Sequence, residues 1–358
     1  MDTPQISAST QYKLPQPNLN PPFNITRASH MVFTARDLAA SRDFYTEVVG
    51  LVVSDETPDT IWLRGLEERC HHSLTLKRTT GRPECEHIGM RVFTEEDLDK
   101  AKSWLDGQGL DARWVEVPYQ GRTLQFNDPM GTPIELCATM PGKPRLHTKI
   151  HLHRGAAAMR MDHYQVLVPD VMAASKFYMD LGFRISDYIG VESTDIVVGA
   201  FLHRKNNPWD IVFLTRSGPR YHHAGYVVES TNAIIRACDV AGNLGFADLI
   251  EHGPGRHGHT HSYYCYMRDP DGHRTELLLP GIQVIDIDDE PDLFLASPES
   301  TTNLWGLPPP KSWVEEATNF AGVTLRRLAH EGGPKTAEEY LASRLPARVV
   351  AALDTVGF

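Results

Sequence analysis

The stretch from His30, HMVFTARDLAASRDFYTEVVGL, and the stretch from His163, HYQVLVPDVMAASKFYMDLGF, are two versions of one pattern. Each opens with a histidine and a short β-type run. Each reaches an aspartate seven residues on, Asp37 or Asp170, and then enters an amphipathic helix. In the second copy Val171, Ala174, Phe177, Tyr178 and Leu181 fall on one helical face. Gly50 and Gly182 end the two helices, where a left-handed cap is wanted. A second pair of matches follows. EHIGMRV at 86–92 resembles HHAGYVV at 222–228, and FNDPMGTPIEL at 126–136 resembles MRDPDGHRTEL at 267–277. In the latter pair Asp-Pro-x-Gly reads as a turn and the run after it as a strand. Internal repetition restricts a chain to copies of one supersecondary unit. This sequence therefore predicts four units of strand, helix, then strands, an α+β fold.

The units pair into an N-terminal half over 25–140 and a C-terminal half over 161–282. A Pro-rich arm over 1–24 precedes them, read as extended and either packed on a neighbouring subunit or disordered. Residues 141–160 are a linker. The remainder, 283–358, is acidic, then Pro-rich, and ends in the helix-like TAEEYLASRLPARVVAAL.

Composition narrows the function classes. A formal net charge of −11 argues against nucleic acid as partner, because phosphate binding wants a basic face. No apolar run approaches the ~20 residues of a membrane span, and the N-terminal stretch lacks the apolar segment of a secretory signal. Five cysteines, Cys70, Cys85, Cys137, Cys238 and Cys265, are odd in number and show no CxxC spacing. They read as small buried hydrophobes of a reduced, cytoplasmic protein.

The chemistry gathers in RHGHTHSYYCYMRDPDGHRTEL, 256–277. Glu276 lies on the strand after the turn, while His163 and His223 open the first strands of the two C-terminal units. A strand histidine alone is ordinarily a packed residue, and a strand glutamate ordinarily a solvated one. At these matched repeat positions, two imidazoles and a carboxylate can occupy one face of a cation. That set suits Fe(II) or Mn(II) and leaves positions open for a substrate and O2.

The segment Gly255-Arg256-His257, Cys265-Tyr266, Asp269-Pro270-Asp271-Gly272 and Glu276 nearly fits a known signature, with Cys265 as the one departure. On these residues the chain resembles the type I extradiol ring-cleaving dioxygenases of the vicinal oxygen chelate superfamily. MDHYQVLVPDV, GPRYHHAGYVV, HGPGRHG and DPDGHRTEL resemble the homoprotocatechuate 2,3-dioxygenase branch in particular. The resemblance covers roughly residues 28–315. It implies two tandem glyoxalase/bleomycin-resistance-like half-barrels, an Fe(II) or Mn(II) site in the C-terminal one, and often a homotetramer. It also implies a small aromatic diol and O2 as partners and a yellow ring-opened product. His257 and Tyr266 match family residues beside the substrate.

Five positions depart from that branch. Aligned on Asp210, Trp209 stands where the family has its acid–base histidine, and an indole can only donate a hydrogen bond. Slow cleavage, substitution by a nearby histidine such as His203 or His259, or a different reaction on the same scaffold (hydroquinone or aminophenol cleavage, or a non-oxygenase reaction) are the alternatives. A further alternative is a protein that sequesters an aromatic without turnover, against which the ligand set counts. His252 and Thr302 stand at the positions of carboxylate-clamping arginines, Gln165 at an asparagine contact and Phe201 at a tryptophan. Loss of the arginine pair predicts a catechol without an acetate arm. Finally, His30, His87 and Glu135 repeat the ligand set in the N-terminal half, where His71 matches Trp209 and Gln125 matches Tyr266. The C-terminal set is the expected active one, with a vestigial or second metal site at the N-terminal set left open.

Overall fold

The computed structural model describes residues 12–191, 194–296 and 303–328. The four units are realised one after another. The first is β1 (Ile25–Ala35), α1 (Leu38–Asp43), β2 (Val52–Thr57), β3 (Thr60–Arg64) and β4 (Leu74–Arg78), with α1 continuing as a π-helical turn over Phe44–Val49. The second is β5 (Cys85–Val92), α2 (Glu95–Gly107), β6 (Arg113–Val115), β7 (Thr123–Asn127) and β8 (Pro133–Cys137). The third is β9 (Arg160–Val168), α3 (Val171–Asp180), β10 (Arg184–Val191), β11 (Val197–His203) and β12 (Ile211–Thr215). The fourth is β13 (Arg220–Val227), α4 (Thr231–Asn243), β14 (Ile250–His257), β15 (Tyr263–Arg268) and β16 (Arg274–Leu278).

The paired aspartates start the paired helices. Asp37 accepts from the amides of Ala39 and Ala40, and Asp170 from that of Ala173, so each satisfies amides that lack a helical acceptor. Gly50 and Gly182 close them at φ +83° and +86°. The apolar face of α3 is buried as its spacing requires: Val171, Ala174, Phe177, Tyr178 and Leu181 all lie in the core.

The N-terminal sheet has the order β2-β3-β4-β1-β5-β8-β7-β6, and the C-terminal sheet repeats it as β10-β11-β12-β9-β13-β16-β15-β14. In each half the first strands of the two units pair antiparallel at the centre, β1 with β5 and β9 with β13. The second sheet is extended by the tail. β17 (Asp292–Ala296) adds to β10, β18 (Asn303–Trp305) to β14, and the short β19 (Thr318–Asn319) to β13. A one-turn helix α5, Lys311–Glu315, lies between the last two. The described part of the N-terminal arm packs on its own chain. The Tyr12 hydroxyl donates to the Val191 carbonyl at 3.2 Å, and its ring stands edge-on to Tyr188. The helix-like C-terminal sequence lies outside the described residues.

The two halves interlock by exchange. The Tyr45 hydroxyl, next to α1, donates to Asp269 at 3.2 Å, and Tyr178 on α3 donates to Asp128 at 3.1 Å. These aspartates belong to the Asp-Pro-x-Gly turns of the opposite halves, and each also accepts two backbone amides of its own turn. Separating the halves would strand two buried tyrosine hydroxyls.

Candidate metal centre

β9, β13 and β16 are consecutive neighbours at the centre of the second sheet, and each contributes one donor. His163 Nε2, His223 Nε2 and Glu276 Oε2 stand 3.3 Å from one another in all three pairings, and all three side chains are buried. Among the described residues this is the one group of three metal-capable side chains whose donor atoms converge. Among the described residues Glu276 Oε2 makes no hydrogen bond despite its burial. A dry carboxylate oxygen facing two imidazole nitrogens is costly by itself and is resolved by a cation. The residues therefore fit a divalent metal.

Backbone detail makes room for the cluster. A Cβ on Gly225 would stand 2.5 Å from the His163 ring, and Gly225 is the residue opposite Glu276 in the β13–β16 register. Gly89 has the same place beside His30, opposite Glu135. A bulge between Tyr221 and His223 breaks the strand alternation and brings two adjacent imidazoles together, His222 Nδ1 to His223 Nδ1 at 2.7 Å.

Partners behind the donors fix their tautomers. His222 Nε2 faces the Trp313 carbonyl at 2.9 Å and must donate to it. With His222 held neutral by burial, its Nδ1 accepts from His223 Nδ1–H, which leaves the His223 Nε2 lone pair for a metal. His163 Nδ1 lies 3.0 Å from buried Asp162, so its Nε2 is aimed the same way. The sequence reading passed over Asp162 and His222, yet the doublets Asp162-His163 and His222-His223 were visible.

Burial lowers the His223 pKa to about 4. Burial opposes charge on His163 too, but Asp162 and Glu276 outweigh it and raise that pKa to about 9. Burial would raise Glu276, but the imidazoles of His163, His223 and His257 around it hold it well below the usual carboxylate range. At neutral pH the carboxylate is ionised, His223 is ready, and His163 carries a proton that a metal must displace. Metal binding at pH 7 is therefore expected to release about one proton and to tighten about tenfold per pH unit up to about 9. Calorimetry in two buffers of different ionisation enthalpy measures both.

The duplicated N-terminal set is closed. Glu135 Oε1 pairs with His30 at 2.7 Å and accepts from Gln120 at 2.8 Å. Its Oε2 pairs with His87 at 2.9 Å and accepts from Gln125 at 2.7 Å. Two side-chain amides and two imidazoles already surround the carboxylate.

The family model "Glyoxalase/Bleomycin resistance protein/Dioxygenase superfamily" matches residues 27–136 and 160–277. A manganese-dependent 2,3-dihydroxybiphenyl 1,2-dioxygenase of Geobacillus genomosp. 3 is 30% identical over 291 residues, covering 75% of this chain and 89% of that relative. The solved structure of a variant of homoprotocatechuate 2,3-dioxygenase from B. fuscum superimposes with TM-score 0.84 at 31% identity, over 89% of this chain and 90% of that one. The enzyme of that name from Arthrobacter globiformis gives TM-score 0.80 at 32% identity, over 85% and 95%. The chain belongs to the extradiol dioxygenases of this superfamily.

In this extradiol dioxygenase a cavity of about 140 Å³ opens over the three donors. His257 Nε2 sits 3.1 Å from Glu276 Oε1 and 3.4 Å from the Tyr266 hydroxyl, and Tyr266 lies opposite Glu276 in the β15–β16 register. Gln165 lines the cavity with a buried, unpartnered amide nitrogen. Phe201 and Trp209 pack together at 5.5 Å, and Trp209 stands edge-on to His163 at 5.0 Å. Trp209 gives its indole hydrogen to Asp187 at 3.0 Å. His252 is stacked on Tyr266 and packed against Trp313. Burial lowers its pKa to about 4, so it is a neutral wall residue. Thr302 lies outside the described residues. His203 directs Nδ1 at the Lys205 carbonyl and is not part of the cavity wall. Trp313 and Asp187 were also missed from sequence. Trp313 comes from the tail, whose return over the cavity no local pattern announces, and Asp187 sits in an ordinary strand run.

Proposed function

We propose that this extradiol dioxygenase opens the ring of a catechol bearing an uncharged, apolar substituent at an Fe(II) held by His163, His223 and Glu276. One observation carries the substrate class. Beyond the donors Ile189, Phe201, Val212, Leu214, Pro309 and Trp313 give the cavity an apolar side next to its histidines, Gln165 and Tyr266, and no lysine or arginine lines it among the described residues. A carboxylated arm would be desolvated there without a cation to meet it. Fe(II) held by these residues would supply joint binding of the diol and O2 and the electron transfer between them.

The chain's own residues hold the ring and its protons. Gln165, whose amide nitrogen makes no hydrogen bond among the described residues, would offer its hydrogens to a diol held in the cavity. Burial pushes the Tyr266 pKa well up, so its phenol stays a hydrogen-bond donor, and burial lowers His257, which stays neutral. Together they keep a donor and an acceptor beside Glu276. Mn(II) is the second reading, favoured by the named manganese dependence of the 30%-identical relative. Residues 25–140 serve in this reading as a non-catalytic half and 161–282 as the catalytic one. A cytoplasmic homotetramer completes it, consistent with five free cysteines.

The test is O2 uptake and visible absorbance after anaerobic loading with Fe(II) or Mn(II). The panel holds unsubstituted, alkyl-, aryl- and carboxylated catechols. Stoichiometric uptake with a yellow product is expected, with kcat/KM for aryl and alkyl rings at least ~100-fold above carboxylated ones. Bound metal with no uptake on any catechol overturns the proposal.

A further inference from the structure

Opening a catechol with O2 conserves protons overall, but a ring hydroxyl must first give one up and a product oxygen must later receive it. The cavity's titratable groups are few. His163, His223 and Glu276 form the donor cluster, His257 is engaged with Glu276 and Tyr266, and His252 is packed among aromatic rings. His259 lines the same cavity and touches none of the three donors.

Its surroundings are built for a proton carrier. Asp187 is buried and accepts from the Trp209 indole at 3.0 Å and the Ser186 hydroxyl at 2.6 Å through Oδ1. Its other oxygen, Oδ2, stands at ion-pair distance, 3.1 Å, from His259 Nδ1, and among the described residues neither atom makes a hydrogen bond. With Nδ1 against that carboxylate, Nε2 is the nitrogen left for the cavity. The ring sits 5.7 Å from Trp209 and 5.4 Å from His257, beside the residues that touch His163 and Glu276. The other titratable groups facing it are His257 on β14 and Asp292 on β17.

The repeat supplies an internal comparison. Asp55 pairs with Trp62 across β2–β3 as Asp187 pairs with Phe201 across β10–β11, each just after a register shift. Asp55 accepts from Tyr119, which comes from the β6–β7 loop as His259 comes from the β14–β15 loop. Tyr119 lies flat on His71 at 3.9 Å. Where the carboxylate set is closed by glutamines, the strand aspartate holds a packed tyrosine. Where the donor cluster is open, it holds an imidazole with a second nitrogen to spare.

We infer that His259, oriented by Asp187, is the acid–base residue of ring cleavage, in the place that Trp209 leaves without one. The inference rests on the dioxygenase reading. In the step, an O–H bond of the ring breaks and an N–H bond forms at His259 Nε2, with Asp187 balancing the imidazolium. The same proton returns to a product oxygen, and no electron is exchanged at His259.

The experiment compares wild type with His259→Gln, His259→Gly and, as control, His203→Gln. H259Q is expected to lose ~10²-fold or more in kcat, to keep metal content and substrate Kd within about twofold, and to lose one limb of the kcat–pH profile. Added imidazole restores H259G in a concentration-dependent way, which a structural role would not allow. A readout apart from turnover is the visible spectrum of 4-nitrocatechol bound anaerobically to the loaded protein, which becomes less ionised in H259Q. H203Q leaves all of these unchanged. An H259Q enzyme with wild-type kcat, or with an unaltered pH limb and nitrocatechol spectrum, overturns the inference. If both His259 variants fail to fold, retention of the missing limb and of nitrocatechol ionisation in Asp187→Asn overturns it, and their loss supports it. A wild type that consumes no O2 would instead sink the dioxygenase reading, so the two failures are distinguishable.

Discussion

Glu276→Gln is expected to abolish stoichiometric metal binding and reduce ring cleavage to background, whereas Glu135→Gln leaves both intact and lowers fold stability instead. The two glutamates match in the repeat, lie on equivalent strands and are equally buried. Their surroundings separate them. Glu276 Oε2 faces two imidazole nitrogens with no hydrogen bond made. An amide there would lose the charge that the cation needs and turn a donor towards it on one side. Glu135 already accepts from Gln120 and Gln125 while pairing with His30 and His87. Replacing one of its oxygens by an amide sets donor against donor at a buried site, a loss of about 2–3 kcal/mol. Metal analysis, O2 uptake and urea midpoints on the two variants read out the difference. Metal retained in E276Q would remove the proposed ligand set, and metal halved in E135Q would make the N-terminal set a second site.

This contrast also marks how far the sequence could be read. The repeat was legible because strand, Asp-capped helix and Asp-Pro-x-Gly turn recur at matching offsets, and both sheets share one strand order as a repeat requires. The candidate donors were legible for the same reason: His163, His223 and Glu276 occupy repeat positions. Their twins do as well, and pattern alone left a second site open at His30, His87 and Glu135. The deciding residue, Gln120, lies in a loop whose path is set by tertiary packing. The missed residues share that cause. Trp313 reaches the cavity from 35 residues beyond the last repeat strand, which ends at Leu278, and Asp187 matters through the ring it faces. The departure at Trp209 was readable as a change of residue type. Which histidine stands near it became plain only when His203 and His259 had places in space.

Arg274→Met is expected to destabilise the fold by about 3–5 kcal/mol and to raise KM more than it lowers kcat. Arg274 is among the most deeply buried side chains of the molecule. Its guanidinium binds Glu251 at 2.6 and 3.1 Å, the His222 carbonyl at 3.1 Å, and the carbonyls of Ser312 and Glu316 at 3.2 and 3.1 Å. It thus ties the tail segment that carries Trp313 to the strand that carries His222 and His223. Without it the segment loses its anchor beside the cavity, while the donors themselves stay on their strands. Glu251 reports the same linkage through pH. Burial would raise its pKa, but Arg274 and Arg268 bring it from 4.5 down to about 2. A depressed carboxylate contributes stability that is complete above the unfolded value and is lost as pH falls through the folded one. Wild type should therefore lose this contribution between pH 4.5 and about 2, and R274M should show a much shallower acid dependence over that window. The double variant R274M/E251Q separates the causes. Removing both charges leaves no uncompensated carboxylate, so it should recover much of the stability but not the KM, because the tail carbonyls still lack their donor. Recovery of both would mean that Arg274 acts only through Glu251 and that the tail holds its place over the site without it.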